Sequence, residues 1–138
     1  MILPPPVIRD PPPPVPGDED PPVISTFEVS PSVFKAATRG ASTATAVGTS
    51  VRYRLSEPAV VTLRAERCTK RRGRRCTRYA RVPGAIVRAS VNGLNRLGFS
   101  GRLRGKLKAG RYRLVATAAD TAGNVSPRES VDFRVVKR

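Results

Sequence analysis

The feature that most constrains the fold is a two-residue alternation of apolar and polar side chains, which recurs along the chain after residue 22. In SVRYRLSE (50–57), Tyr53 and its apolar neighbours alternate with arginines, and RYRLVATA (111–118) repeats the pattern around Tyr112. A period of two is typical of half-buried β-strands, because successive side chains point to opposite faces of a sheet. The pattern therefore predicts strands, with Tyr53 and Tyr112 facing inward.

Short strands of this kind are predicted along most of the chain, and no segment has a convincing helical period. The predicted strands are 24–29, 50–57, 60–67, 76–82, 85–91, 94–100, 111–118 and 130–136. Residues 36–48 are small and polar, and fit either a loop or a frayed edge strand. Seven or eight short strands predict an all-β protein, an antiparallel β-sandwich.

The first 22 residues differ in composition from the rest, because they contain ten of the fourteen prolines. Proline fixes φ near the polyproline value and removes a backbone donor. We therefore expect residues 1–22 to be an extended, semi-rigid linker of about 60 Å at most. The remaining residues, 23–138, suffice for one domain with one core.

The folded part is strongly basic. The whole chain has a formal charge of +16, and since residues 1–22 hold one arginine and four acidic residues, the rest carries +19. Such a charge favours acidic partners. There is no histidine, which excludes a conventional catalytic triad and imidazole metal ligands, and the carboxylates are scattered singly. We expect no enzyme, no cofactor and no metal site.

The segment CTKRRGRRC (68–76) has the spacing of a hairpin closed by a disulfide. If Cys68 faces Cys76 on antiparallel strands, residues 71–73 form a three-residue loop that ends on Gly73, where a positive φ is needed. The spacing therefore predicts a Cys68–Cys76 disulfide. Zinc is the rival ligand for two cysteines, but it needs four ligands, and the chain has no histidine or further cysteine.

The same register places Glu66 opposite Arg78 and Ala65 opposite Tyr79. The hairpin would then present six cations to an acidic polymer: Lys70, Arg71, Arg72, Arg74, Arg75 and Arg78. Sequence-specific reading of nucleic acid needs a recognition helix or interleaved aromatics, and only Tyr79 is near. The alternative is a solvated hairpin tip that protects an edge strand from aggregation.

The segment LKAGRYRLVATAADTAGN (107–124) carries a family resemblance. It resembles the Ig-like modules of exported bacterial proteins, in which Leu-x-Pro-Gly-x-Tyr-x-Leu enters the penultimate strand and Asp-x-Ala-Gly-Asn turns toward the last strand. The matching residues are Leu107, Gly110, Tyr112, Leu114, Asp120, Ala122, Gly123 and Asn124. Ala109 departs from the pattern, which usually has proline there. The resemblance implies an Ig-like sandwich and does not specify a function.

The matched residues have architectural roles that their chemistry also supports. Gly110 permits the turn before a strand, and Tyr112 can return its hydroxyl to the backbone as a tyrosine corner. Asp120 can accept hydrogen bonds from amides two residues on, Gly123 can adopt positive φ, and Asn124 belongs to the same turn.

These observations lead us to expect a non-catalytic structural or interaction module whose partners are the neighbouring domains of the same polypeptide. The alternative is a module that binds acidic polymers through the hairpin. A third possibility, a carbohydrate-binding accessory domain, would need exposed aromatic side chains.

A disulfide would place the domain outside the cytoplasm or at the cell surface. Because MILPPPVIRD (1–10) does not resemble a signal peptide, we expect a fragment or a misplaced start. We expect a monomer without a transmembrane segment, since no apolar run is long enough to span a bilayer.

Overall fold

The computed structural model describes residues 20–36 and 47–137, in which there are nine β-strands and no helix. The strands are β1 (Ile24–Ser30), β2 (Val33–Lys35), β3 (Thr49–Leu55), β4 (Ala59–Arg72), β5 (Arg75–Arg81), β6 (Ile86–Ser90), β7 (Gly93–Phe99), β8 (Gly110–Ala119) and β9 (Glu129–Val136). The all-β prediction is confirmed, with nine strands in place of seven or eight. Most of the expected linker and most of residues 36–48 lie outside the described residues.

The strands form two sheets. A three-stranded sheet has the order β1-β3-β7, and a six-stranded sheet has the order β2-β9-β8-β4-β5, with β6 also paired to β4. The pairings are antiparallel except that β2 runs parallel to β9. One edge of β4 is shared by β6 and β5, while β8 pairs with the other edge only as far as Arg67. The end of β4 therefore extends past β8 and carries the hairpin with β5.

A single core lies between the two sheets. Val51 from the three-stranded sheet and Leu63 and Leu114 from the six-stranded sheet are fully buried in one apolar cluster. Tyr53 and Tyr112 are also buried, which confirms that both tyrosines face inward. The alternation predicted from the sequence thus places one face of each sheet in this core, in a sandwich-like arrangement.

Four aromatic rings join the sheets at one end of the core. Phe133 stacks on Tyr112 at 5.2 Å and on Phe34 at 5.6 Å between ring centroids. Phe99, from the three-stranded sheet, meets Phe133 edge-on at 5.8 Å. Offset-stacked and edge-to-face pairs at these separations are favourable beyond the area they bury.

Strand β2 is absent from the sequence prediction. β1 ends just before Pro31, and the chain then passes to the other sheet, where three residues pair with β9. Three residues are too few to establish an alternation. What holds β2 in place is tertiary, because Phe34 is 1% exposed and completes the aromatic group.

The connection between β8 and β9 is organised by one carboxylate. One oxygen of Asp120 (Oδ1) accepts from the backbone N–H groups of Ala122 and Asn124, both at 2.9 Å. The other (Oδ2) accepts from the amide Nδ2 of Asn124 at 3.1 Å. Gly123, with φ +89°, supplies the left-handed residue of the turn. Partial desolvation is the largest influence and acts to raise the pKa of Asp120, but hydrogen bonds from Asn124, Ala122 and Gly123 together lower it.

We expect this turn to make stability pH-dependent. Because the pKa of Asp120 is lowered in the folded protein, its contribution is present above the unfolded value, near 3.8, and is lost as pH falls through the folded pKa. Asp120→Asn should therefore be less stable than the wild type at neutral pH, and the difference should shrink as the pH drops below that value. Urea unfolding of both proteins from neutral to acidic pH measures this. A difference that is constant with pH would contradict it.

Candidate polyanion-binding site

The β4–β5 hairpin ends in a two-residue turn. Arg72 pairs with Arg75, so Gly73 and Arg74 form the turn, and Gly73 has φ +63°. Glycine at the first central position is typical of a type II′ turn, whose twist suits a hairpin. The expected three-residue loop over 71–73 is therefore wrong.

The register error has a physical cause in two irregularities of the hairpin, one at Thr69 in β4 and one at Thr77 in β5. The pairing shifts between Cys68 and Lys70 and again between Lys70 and Arg71. As a result Cys68 lies opposite Tyr79, and Cys76 lies opposite Arg71. A bulge adds an unpaired residue and increases the local twist, and sequence spacing alone does not reveal it.

The Cys68–Cys76 disulfide is confirmed, although the two residues are not directly opposite. Their Cα atoms are 5.9 Å apart, within the usual range for a disulfide. Two threonines add links across the hairpin. The hydroxyl of Thr69 donates to the carbonyl of Arg78 at 3.3 Å, and that of Thr77 donates to the carbonyl of Lys70 at 3.2 Å. The hairpin is thus cross-linked along its length.

The acidic residue of the hairpin stem does not neutralise the tip. Glu66 was expected opposite Arg78, but it faces Arg81 in β5 and Arg113 in β8. Its carboxylate accepts a 2.6 Å hydrogen bond from Arg113 and lies 3.6 Å from Arg128. Glu66 therefore belongs to an ion-pair group on the sheet.

Six cations of the hairpin are exposed. Their side chains make no hydrogen bond or ion pair with any residue in the described ranges, 20–36 and 47–137. They are Lys70, Arg71, Arg72, Arg74, Arg75 and Arg78. No carboxylate among the residues that the structure describes therefore offsets the repulsion between these cations. Such a group of fixed positive charges attracts polyanions and gains energy when counterions are released.

The hairpin cations line more than one cleft, and Arg71 also lies in a cleft with Arg111 and Arg134. Lys70, Arg71, Arg72 and Arg78 line a shallow cleft of about 460 Å³ together with Thr77. The guanidinium Nη1 of Arg111 donates to the carbonyl of Arg74 at 3.4 Å. The hairpin tip is therefore bent toward the outer face of β8.

Two functional candidates, Arg111 and Arg134, were missed by sequence reasoning. They lie directly opposite each other on β8 and β9 and share a groove with Arg74. The alternation indicates that both point outward, but the bend of the hairpin that brings Arg74 to them depends on tertiary structure.

Tyr112 and Gly110 lie at the hairpin base. The hydroxyl of Tyr112 donates to the carbonyl of Lys108 at 2.6 Å and accepts from Nη1 of Arg67 at 3.3 Å. A Cβ on Gly110 would come within 3.3 Å of the Arg67 guanidinium, so glycine leaves room for that side chain. Burial raises the pKa of Tyr112, and the nearby Arg67 partly offsets this.

The remaining sequence-predicted residues are not part of this site. Asp120, Gly123 and Asn124 follow the far end of β8, which is ten residues long. At about 3.3 Å per residue, that strand separates them from the hairpin base by roughly 30 Å. Their position fits a turn and not a contact with the hairpin's ligand.

The fold and the site together define an all-β, sandwich-like protein with a disulfide-closed basic hairpin. In comparisons with known proteins, no protein-family model and no curated protein matches the chain. Across the described ranges, no helix is long and apolar enough to cross a membrane.

Proposed function

We propose that this chain is a non-catalytic Ig-like interaction module of an exported or cell-surface protein, and that it is one domain of a longer polypeptide. The strand order supports the Ig-like assignment. The order β1-β3-β7 corresponds to strands A, B and E of an immunoglobulin sandwich, and β9-β8-β4-β5 corresponds to G, F, C and C′. The disulfide differs from that of antibody domains, because it closes one hairpin within a sheet.

The proposed location outside the cytoplasm has its support in the disulfide. Disulfides form and persist in oxidising compartments and are rare in the cytosol. The Cys68–Cys76 bond accounts for both cysteines of the chain. Because it holds an exposed hairpin, its retention depends directly on the redox state of the surroundings.

Within this module the hairpin binds acidic polymers, and one observation carries the proposal. Six exposed cations are held on a cross-linked hairpin, and none has an acidic partner among the described residues. Protection of an edge strand by charged side chains does not require six cations without an acidic partner. An acidic polymer would relieve the repulsion, and the disulfide reduces the conformational entropy lost on binding.

The test compares two variants of equal net charge. One replaces Arg71, Arg72, Arg74 and Arg75 by serine, and the control replaces Arg54, Arg88, Arg96 and Arg104, which are exposed elsewhere. Binding of the oxidised domain to an acidic glycan and to DNA is measured at about 150 mM salt. We expect the hairpin variant to lose at least about tenfold in affinity and the control much less. The reason is that a hairpin without its arginines makes fewer contacts with the polyanion and so releases fewer counterions on binding.

The salt dependence provides a second readout. For DNA, the slope of log affinity against log salt should become shallower by roughly 0.9 for each phosphate contact removed. Equal affinities and slopes in the two variants would show that only net charge matters. The module would then act as a spacer whose partners are its neighbouring domains.

A further inference from the structure

A groove lies between the hairpin turn and the outer face of the six-stranded sheet. It has a volume of about 210 Å³. Six of the residues that line it come from five parts of the chain: Ser32, Arg74, Tyr79, Arg111, Asp132 and Arg134. Only Arg74 belongs to the hairpin cations described above, so the groove is a separate feature of the sheet.

Three arginines line this groove: Arg74, Arg111 and Arg134. Arg111 and Arg134 are cross-strand partners, and Arg111 is oriented by its 3.4 Å hydrogen bond to the carbonyl of Arg74. Like charges directly opposite each other on a sheet are destabilising. A carboxylate between them would reverse that penalty, because guanidinium and carboxylate form short, often bidentate hydrogen bonds.

The groove also offers acceptors, which a simple polyanion site would not need. Asp132 is exposed, and its carboxylate makes no hydrogen bond or ion pair with the residues that the structure describes. Its cross-strand neighbour Arg113 is already bound to Glu66. A carboxylate beside three arginines repels a phosphate polymer but accepts hydrogen bonds from hydroxyl groups.

One wall of the groove is aromatic. Tyr79 is half-buried, and the Arg113 guanidinium lies over its ring at 3.8 Å from the centroid. This cation–π contact, together with the Glu66 ion pair, holds the ring in place. Arg113 covers one face of the ring, so the C–H groups of a sugar would pack against the part of the ring that lines the groove.

We infer that this groove binds a uronate residue of an acidic polysaccharide. Arg111 and Arg134 bind the sugar carboxylate, Asp132 and Ser32 accept or share hydrogen bonds with its hydroxyls, and Tyr79 contacts its ring. The inference rests on the proposed binding of acidic polymers and names their chemical class. A polyuronate supplies both the anion and the hydroxyl donors, whereas a DNA backbone supplies only the anion.

The test uses the oxidised chain with oligogalacturonate, the same oligomer after reduction of its carboxyls, and single-stranded DNA. Arg111→Gln/Arg134→Gln should weaken oligogalacturonate binding about tenfold or more, because two charge-assisted contacts are lost. Asp132→Asn should weaken oligogalacturonate binding severalfold and strengthen DNA binding, because it removes an acceptor and a negative charge together. A change in net charge alone would shift the affinities for oligogalacturonate and for DNA in the same direction.

Several outcomes would overturn the inference. One is that the wild type binds the carboxyl-reduced oligomer as tightly as the unreduced oligomer. Another is that Asp132→Asn binds both oligogalacturonate and DNA more tightly than the wild type does. If Lys70→Ser/Arg72→Ser/Arg75→Ser weakens binding while Arg111→Gln/Arg134→Gln does not, the groove is not the site and the hairpin proposal stands. If neither variant weakens binding, both proposals fail. Retention of the wild-type urea midpoint shows that each variant is folded, and the reduced oligomer tests the inference without any variant.

Discussion

Replacing Phe133 by alanine should lower the free energy of unfolding by about 3–5 kcal/mol, the largest effect expected of a single substitution here. The ring is 3% exposed and lies at the centre of the aromatic group. It contacts Tyr112 and Phe34 by stacking and Phe99 edge-on. Its removal leaves a cavity between the two sheets, which the surrounding rigid rings cannot fill without leaving their rotamers.

Phe27→Ala is the matched control, because it removes the same side chain from a partly buried position at the edge of the core. Phe27 lies beside the irregularity of β1, where the pairing with β3 shifts. We expect it to cost less than half as much as Phe133→Ala. Urea unfolding followed by circular dichroism measures both. Similar losses would mean that the aromatic group is not what joins the sheets.

Replacing both Cys68 and Cys76 by serine should cost roughly 2–3 kcal/mol. The bond closes a nine-residue ring, and in the chain-entropy model it restricts the unfolded state by about this amount. Its removal also frees a hairpin whose exposed cations repel one another. The variant should therefore recover more stability than the wild type when salt is added, since screening weakens repulsion between exposed charges.

Reduction of the wild-type protein is the control for this double substitution. The reduced protein should have the same urea midpoint as the serine variant, to within the small effect of exchanging sulfur for oxygen. A loss below about 0.5 kcal/mol in both would contradict the chain-entropy account. It would mean that the bulged hairpin is held by the backbone pairing and by its two threonines alone.

The strands with strong alternation could be predicted from the sequence. The ends of β3, β8 and β9 lie within two residues of those predicted, 50–57, 111–118 and 130–136. Their inward residues supply nearly half of the buried core cluster, so a single physical rule, burial of one face, determines both strand and orientation. β4 was predicted only in its first half, because its cysteine-containing half consists of polar residues with no alternation.

The candidate site was predicted only in its composition. The disulfide was predicted from two cysteines at hairpin spacing. The exposure of the basic residues was predicted because charged side chains are rarely buried without a partner. The register of the hairpin was wrong because two bulges intervene. The groove was not predicted at all, since it needs Arg74, Arg111 and Arg134 to meet from three separate elements.

The sequence alone is enough to predict that this protein is all-β, which side chains of the alternating strands face the core, and that Cys68 and Cys76 can close a basic hairpin. These properties follow from side-chain alternation and short-range spacing. It takes the tertiary structure to show that β2 crosses to the second sheet, that the hairpin register shifts, and that the turn bends toward β8 and β9. The crossing and the bend depend on contacts between residues far apart in the chain. The register depends on two bulges, which the spacing of residues does not reveal.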